Sequence, residues 1–463
     1  MKPLRKQGII IFSILALVLA ACGGDTTEET TVEETTPEVV ETLDSPAVTT
    51  ASGVESGVGV TSDPCPEAIG GIPTGADQSK GCIYLGMLND YTGPYAAAGP
   101  ALETAQRAFW LWANSAGGVG DYSVAIIEGT DTGYNPQKHL EAYNAQKGDV
   151  AALAMSLGTV QTLFILDEMD KDNMVAAPMS WYSGWSYKSV DKGLVIEFGS
   201  AYCADGMNAV DWALANLPVD IKTIGIMGGA GDYGSDWAAG VQYAAEKNGL
   251  TVAWEYVPPS TEFDVAQAVG LMLTQPVDAY FPAIVPSQMA QVAGGAAQQG
   301  VTPIAMLAAP AFNDAFVQEG FALKGLFESG AIYTMAWVAP YEFNSAAHAT
   351  MRATFASMGI DSASSFLVAG WSSQYHMKGV LEAALKGGDL TRAGIRRAAA
   401  NVYVESDGMM LTRELGQDRA DKESFINIPD GSIASGVKML ASNYVGPSAE
   451  SYDFTQGPCY ASG

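Results

Sequence analysis

Histidine is almost missing and basic residues are few: the 463 residues include 3 His and 23 Lys plus Arg against 51 Asp plus Glu, for a formal net charge of −28. A chain this acidic repels nucleic acid phosphates and anionic lipid headgroups, so nucleic acid is excluded as a partner and the charge reads as a solubility device. His139, His348 and His376 are scattered and no two cysteines have CxxC spacing, so neither a zinc site nor a dithiol redox centre is indicated. There is no GxSxG elbow, HExxH helix, Walker loop or EF-hand loop. The carboxylates are many, but a catalytic pair is defined by geometry and not by abundance. Nothing asks for an enzyme, a metal or a cofactor. The apolar run from Gly8 to Ala21 has fourteen residues broken only by Ser13, short of the roughly 20 that a membrane span needs.

That run is preceded by Lys2, Arg5 and Lys6 and ends in Leu19-Ala20-Ala21-Cys22, followed by Gly23-Gly24-Asp25. A basic start, a short apolar stretch and small residues form a signal peptide, here 1–21. The tetrapeptide resembles a bacterial lipobox. The resemblance implies cleavage before Cys22 and acylation of its thiol, which would anchor the chain by lipid at the extracytoplasmic face of a cell membrane. From Gly23 to Asp63 there is no Lys, Arg or aromatic residue, while Thr, Glu, Val, Ser and Pro dominate. Residues 22–63 therefore read as a disordered acidic tether. The signal carries three positive charges and the tether ten negative ones, leaving −21 for 64–463.

The other four cysteines, Cys65, Cys82, Cys203 and Cys459, are an even number in a chain marked for export, so two disulfides are expected. Sequence allows three pairings. Cys65 in the Pro-rich entry lies seventeen residues before Cys82 at the first strand, which favours Cys65 with Cys82 and Cys203 with Cys459.

About 400 residues follow the tether, too many for one ordinary core and comfortable for two lobes. Ile83–Leu88, Val124–Ile127, Ala151–Leu157 and, more weakly, Met174–Ala177 are short apolar runs, each followed by a helical stretch, the first of them Pro100 to Ala113. A second series has helix 204–216, strand 222–228, helix 235–248, strand 251–257, helix 264–274, strand 277–281, helix 287–299 and strand 303–308. Residues 340–401 are mainly helical, with Ser364 to Lys386 one long segment, and the tail from Val402 has weak strands and many turns. Strands without period-two polarity, alternating with helices, predict an α/β fold of mostly parallel sheets covered on both faces. Two such sheets make a crevice at the carboxyl ends of their strands.

Gly229-Ala230-Gly231-Asp232-Tyr233-Gly234 satisfies GxGxxG between a strand and a helix, with Glu255 ending the next strand. The acidic residue stands 26 positions beyond Gly229 where a dinucleotide site has it at about 20, and an exported chain meets no dependable nicotinamide pool. The glycines are read as a tight turn facing a crevice. Ser180-Trp181-Tyr182-Ser183-Gly184-Trp185-Ser186-Tyr187 interleaves rings with hydroxyls. Such a segment suits a binding wall or a loop packed on its own lobe; Trp185 and Tyr187 are assigned to packing, and Trp181 is left between the two.

Several motifs now fall in order: Leu88-Asn89-Asp90-Tyr91-Thr92-Gly93-Pro94-Tyr95-Ala96-Ala97-Ala98-Gly99, Asn114-Ser115-Ala116-Gly117-Gly118-Val119, Glu128-Gly129-Thr130-Asp131-Thr132, Asp232-Tyr233-Gly234 and Thr261-Glu262-Phe263-Asp264. With them, residues 82 to about 445 resemble the substrate-binding proteins of branched-chain amino-acid-type ABC transporters, which have the two-lobed type I periplasmic-binding fold with three hinge crossovers. The resemblance implies crossovers near 200–204, 331–337 and 402–408, with lobe 1 at 64–202 plus 335–404 and lobe 2 at 203–334 plus 405–463. It implies a ligand carboxylate gripped by hydroxyls and amides of Ser156, Leu157, Gly158 and Thr159. The loop of Met179, Ser180 and Trp181, together with Tyr91, Tyr233, Ala309 and Trp371, would complete the site. The partners implied are a small solute and the permease and ATPase subunits of an importer.

The chain departs from that family where its members hold the ammonium of an amino acid. The loop that carries an acidic residue in leucine-binding relatives reads Ala308-Ala309-Pro310-Ala311 here. An unpaired buried ammonium is costly, and Trp181 replaces a small threonine. The expected ligand is therefore less polar: an amide, an aromatic or aliphatic carboxylate, or another small organic molecule. Hinge closure around it is the expected mechanism. A sensory clamshell lipoprotein without a transport role is the alternative, and an exported hydrolase a weaker one.

Overall fold

Apolar runs that lack alternation become strands buried on both faces, and two sheets are built this way. In this computed structural model residues 48–49, 53–229, 231–258, 263–410, 413–417 and 421–461 are described. The signal segment, Cys22 and the tether up to residue 47 lie outside them, as do Ala230, Thr261 and Glu262.

The first sheet runs Ala176–Met179, Ala152–Leu157, Gly81–Asn89, Val60–Thr61, with Tyr122–Ile126 and Thr130–Asp131 also pairing with Gly81–Asn89. All of these pairs are parallel except that of Val60–Thr61. Along Gly81–Asn89 the side chains of Ile83, Leu85 and Met87 enter one core with Phe109, Trp110 and Trp371, whereas Leu88 enters another with Leu153, Ile165 and Met169. The helices Gly99–Ser115 and Ser365–Lys386 pack together over the first of these cores, and Pro136–Gln146 packs with Thr159–Asp172 over the second.

The second sheet has the order Thr251–Tyr256, Thr223–Gly228, Ala279–Ala283, Ile304–Leu307, Ile332–Ala336, Ser424–Pro429, Val437–Tyr444. Its first five strands are parallel, and the last two are antiparallel additions from the tail. Alternation again divides the sides: Ile224, Ile226 and Phe281 pack with Trp237 and Val241, while Met227, Tyr280 and Leu307 pack with Met272, Met289 and Val292. The chain leaves the first sheet through 180–201, returns to its helices after Ala336, and crosses again after Val404 to reach Ser424. Both expected disulfides are formed, Cys65–Cys82 and Cys203–Cys459, with Cα atoms 4.8 and 6.3 Å apart.

The tether expected to reach residue 63 ends earlier. Glu55–Ser56 pairs with Asp389–Leu390, and Val60–Thr61 adds an antiparallel strand against Cys82 and Ile83. The β-branched Val60 and Thr61 suit a strand, and the Cys65–Cys82 bridge holds the segment beside its partner. Lack of charge balance said nothing about this local fit. Among the described residues no helix is long and apolar enough to cross a membrane.

Candidate ligand-binding site

A cavity of about 30 Å³ lies where the strand ends of the two sheets face each other, lined by Tyr95, Leu102, Tyr134, Leu157, Met179, Trp181, Tyr202, Pro310, Trp337, Phe366 and Ala369. That is room for roughly two waters, so the cleft is closed. Trp181 follows the strand Ala176–Met179 and Trp337 follows Ile332–Ala336. Their indoles stack across the cleft with centroids 3.2 Å apart. Gly199, at φ +75, lies over this pair; a β-carbon there would sit 2.7 Å from Trp337 Cβ.

One side of the cleft carries hydroxyls. Thr159 Oγ1 and Ser180 Oγ are 2.6 Å apart, and Ser180 Oγ accepts from Trp185 Nε1 at 2.9 Å. The Tyr202 hydroxyl approaches the same two oxygens. Its ring meets that of Tyr233 at 4.7 Å, and Tyr95 meets Tyr134 at 5.0 Å. Burial, and then mutual crowding, holds the Tyr95, Tyr202 and Tyr233 phenols well above the ordinary tyrosine range, and burial with the nearby Asp90 charge does the same for Tyr134. All four are neutral donors at any working pH. Tyr233 Oη and the Nε1 atoms of Trp181 and Trp337 have no hydrogen-bond partner among the described residues, although each side chain is at least nine-tenths buried. Buried donors left open are uncommon in finished cores.

Two helices also begin here. Thr159–Asp172 starts at Gly158, φ 104, and Asp232–Asn248 at Gly231, φ 83, neither with a side-chain cap. A helix start leaves amide N–H groups unpaired and favours an anion. The two starts abut: a β-carbon on Gly231 would lie 2.5 Å from Val160 Cγ2. Val160 therefore fills the space that a pyrophosphate would need at the 229–234 turn.

Among the described residues no charged side chain lines the cavity. Asp90 is close, but its carboxylate already accepts from the backbone amides of Thr92, Gly93 and Tyr95. The 308–311 loop turns as a short helix and presents Pro310 to the cleft. Among the described residues no carboxylate lines the cavity to pair an ammonium. Cys203, Asp236 and Cys459 are the one tight cluster of metal-type ligands among the described residues, and its sulfurs are joined to each other.

Of the sequence-predicted residues, Leu157, Met179 and Trp181 line the cavity, and Gly158, Thr159, Ser180 and Tyr233 stand directly behind that lining. Ala309 lines an adjoining cavity. Three are elsewhere. Ser156 Oγ is taken up by His139 Nε2 and Thr162 Oγ1 at 2.9 and 2.7 Å beneath the loop. Tyr91 gives its hydroxyl to Glu103. Trp371 is buried among Phe109, Trp112 and Phe355 in the core of the first side. Trp185 and Tyr187 do pack inward, Tyr187 donating to Phe454 O in the tail, while Tyr182 donates to Tyr460 O at 2.7 Å. Tyr95, Tyr134, Tyr202, Trp337 and Phe366 were not anticipated. Trp337 had a legible signal, since it directly follows an apolar strand and ligands gather at the carboxyl ends of strands.

Residues 82–424 match the sequence family described as periplasmic binding protein. The chain belongs to that family. As a periplasmic binding protein it has the type I two-lobed fold. Its structure is similar to a fatty acid ABC transporter substrate-binding protein from Thermomonospora curvata, at 24% identity and TM-score 0.76, covering 87% of this chain and 97% of that one. It also resembles a branched chain amino acid ABC transporter protein from Thermus thermophilus with bound valine, at 12% identity and TM-score 0.65, over 80% and 98% of the two chains. A solute binding protein from Rhodopseudomonas palustris HaA2 in complex with p-hydroxybenzoic acid gives 14% and 0.65, over 79% and 98%. At these identities the likeness is one of fold. No curated protein sequence matches.

Proposed function

We propose that this periplasmic binding protein captures a small, largely apolar organic carboxylate between its lobes and presents it to an ABC importer, held at the membrane by lipid on Cys22. The observation that carries this is the cleft's composition: aromatic and aliphatic walls, neutral hydroxyl donors beside an uncapped helix start, and no charged side chain. A carboxylate finds donors there that need no counter-ion. An α-amino acid would bring an ammonium with no acceptor carboxylate to meet it. The similar folds named as a fatty acid transporter's substrate-binding protein and as a solute binding protein in complex with p-hydroxybenzoic acid agree with this choice, and the one with bound valine is the contrast. The lobes proposed to hinge are 64–202 plus 335–404 and 203–334 plus 405–463, with the solute adding contacts that exist only in the closed form.

A thermal-shift screen of matched pairs tests the reading, each aliphatic or aromatic carboxylate against its α-amino acid and its amide. Binding to the native state alone at a hundred times Kd adds about 2.7 kcal/mol of stability. Shifts for the carboxylates and none for the amino acids are expected. A shift for leucine or valine that exceeds the one for the matching carboxylate would reject the proposal.

A further inference from the structure

A second cavity, of about 40 Å³, adjoins the cleft and shares Trp337, Phe366 and Ala369 with it. It extends from Ala309 beside Pro310 along the start of the Ser365–Lys386 helix toward the second sheet, past Phe312, Val338 and Val368 to Val437. Among the described residues no charged side chain lines it. Two of its polar residues are occupied, Thr334 donating to Met335 O and Ser435 to Glu342. The Asn427 side-chain oxygen is not: it is buried without a partner among the described residues. Interiors are close-packed, so an unfilled apolar chamber is unlike a finished core.

We propose that this chamber is a tail subsite and that the solute is an amphiphile, a carboxylate head at the Thr159, Ser180 and Tyr202 hydroxyls with an aliphatic chain running past Trp337 toward Val437. The assignment rests on the carboxylate reading of the cleft. Small acids would fill only the cleft, whereas a chain of several methylenes gains burial in both cavities. Trp337 sits at the junction, so its indole sets the path of the chain.

Calorimetry with straight-chain monocarboxylates of two to twelve carbons, alongside n-alcohols of equal length, tests this on the full folded chain. Each methylene that enters the chamber should tighten binding about fourfold, from roughly 0.8 kcal/mol per buried CH₂, until the chamber is full. Val437→Ala, which enlarges the far wall, should move the plateau to longer acids, and Ala339→Leu should move it to shorter ones. Binding of short acids with no dependence on chain length would overturn the tail subsite and leave the carboxylate reading intact. Alcohols that bind as tightly as acids and show the same length dependence would keep the subsite and overturn the carboxylate head. Failure of every acid and alcohol to bind would overturn both.

Discussion

The indole of Trp181 lies parallel to that of Trp337, with ring centroids 3.2 Å apart and planes 4° from each other. One follows a strand of the first sheet and the other a strand of the second, so the contact exists only when the two strand ends face each other. Aromatic pairs contribute roughly 0.5–1.5 kcal/mol beyond their burial. Trp181→Ala and Trp337→Ala should each weaken solute binding, and the double variant should lose less than the two effects combined. A coupling of about 1 kcal/mol from a double-mutant cycle on Kd is expected; strict additivity would show that the two rings do not act together in closure.

Tyr233 carries a buried hydroxyl without a partner among the described residues. An open buried donor costs roughly 1–3 kcal/mol. Tyr233→Phe should leave the melting temperature of the free protein unchanged or higher while weakening solute binding about three- to tenfold, a neutral hydrogen bond's worth. Calorimetry that finds equal affinities in the two proteins would remove this hydroxyl from the site.

Gly231 has φ +83 and would bring a β-carbon to 2.5 Å from Val160 Cγ2. Its ψ is −169, a region that only glycine adopts readily; alanine there costs about 1–3 kcal/mol, and the clash pushes the two helix starts apart. Gly231→Ala should lower both stability and solute affinity. Adding Val160→Ala should restore part of the affinity and little of the stability, because it relieves the contact and leaves the backbone strain.

Asp205 is buried at the first crossover, where its Oδ1 accepts from Ser200 and Ser424, and its Oδ2 has no partner among the described residues. Burial raises its pKa to about 7 against an ordinary 3.8, the two hydroxyls offsetting this only in part. The folded state thus binds this proton more tightly than the unfolded chain. The resulting stability is fully present below about pH 4 and is lost as pH rises through about 7. Asp236, raised to about 7 mainly by burial, acts in the same direction. Asp205→Asn should therefore melt higher than wild type at pH 8, with the advantage gone at pH 4. An unchanged difference across this range, by calorimetric melting, would count against a protonated Asp205.

Cys22→Ser should shift the protein from the membrane fraction to the soluble one and abolish incorporation of labelled fatty acid. Retention at the membrane after the substitution would rule out the lipid anchor.

Much of this fold was legible because strands buried on both faces are written as unbroken apolar runs. Ile83–Leu88 and Ala151–Leu157 could be little else, and the four cysteines of an exported chain found the expected partners. The tail strand Val437–Tyr444 was faint because it closes the edge of a sheet, where one face is exposed in alternation, and Ser424–Pro429 because polar Ser424 and Asn427 interrupt its buried run. Val60–Thr61 was missed because two residues make no periodic signal.

The site divides in the same way. Leu157, Met179 and Trp181 lie where the sequence expected them, at the cavity, because they end or follow strands, and strand ends are local facts. Trp371 shares the helix Ser365–Lys386 with Phe366, which lines the cavity, but its side chain packs in the core. At 3.6 residues per turn, five positions turn the side chain by about 140° and carry it from cleft to core. Tyr95, Tyr134 and Tyr202 carry no local mark of their roles. Their proximity depends on three crossovers that bring distant loops to one crevice.

What the sequence determined by itself was the kind of object: an acidic, two-lobed α/β chain with two disulfides, since periodicity, composition and cysteine count are local or summed properties. What only the tertiary structure decided was the character of the cleft. Three tyrosines, two stacked indoles and an apolar wall meet there from segments up to 274 residues apart, from Tyr95 to Ala369, and a hydrogen-bonding surface of that kind is a property of distances that a one-dimensional pattern does not contain.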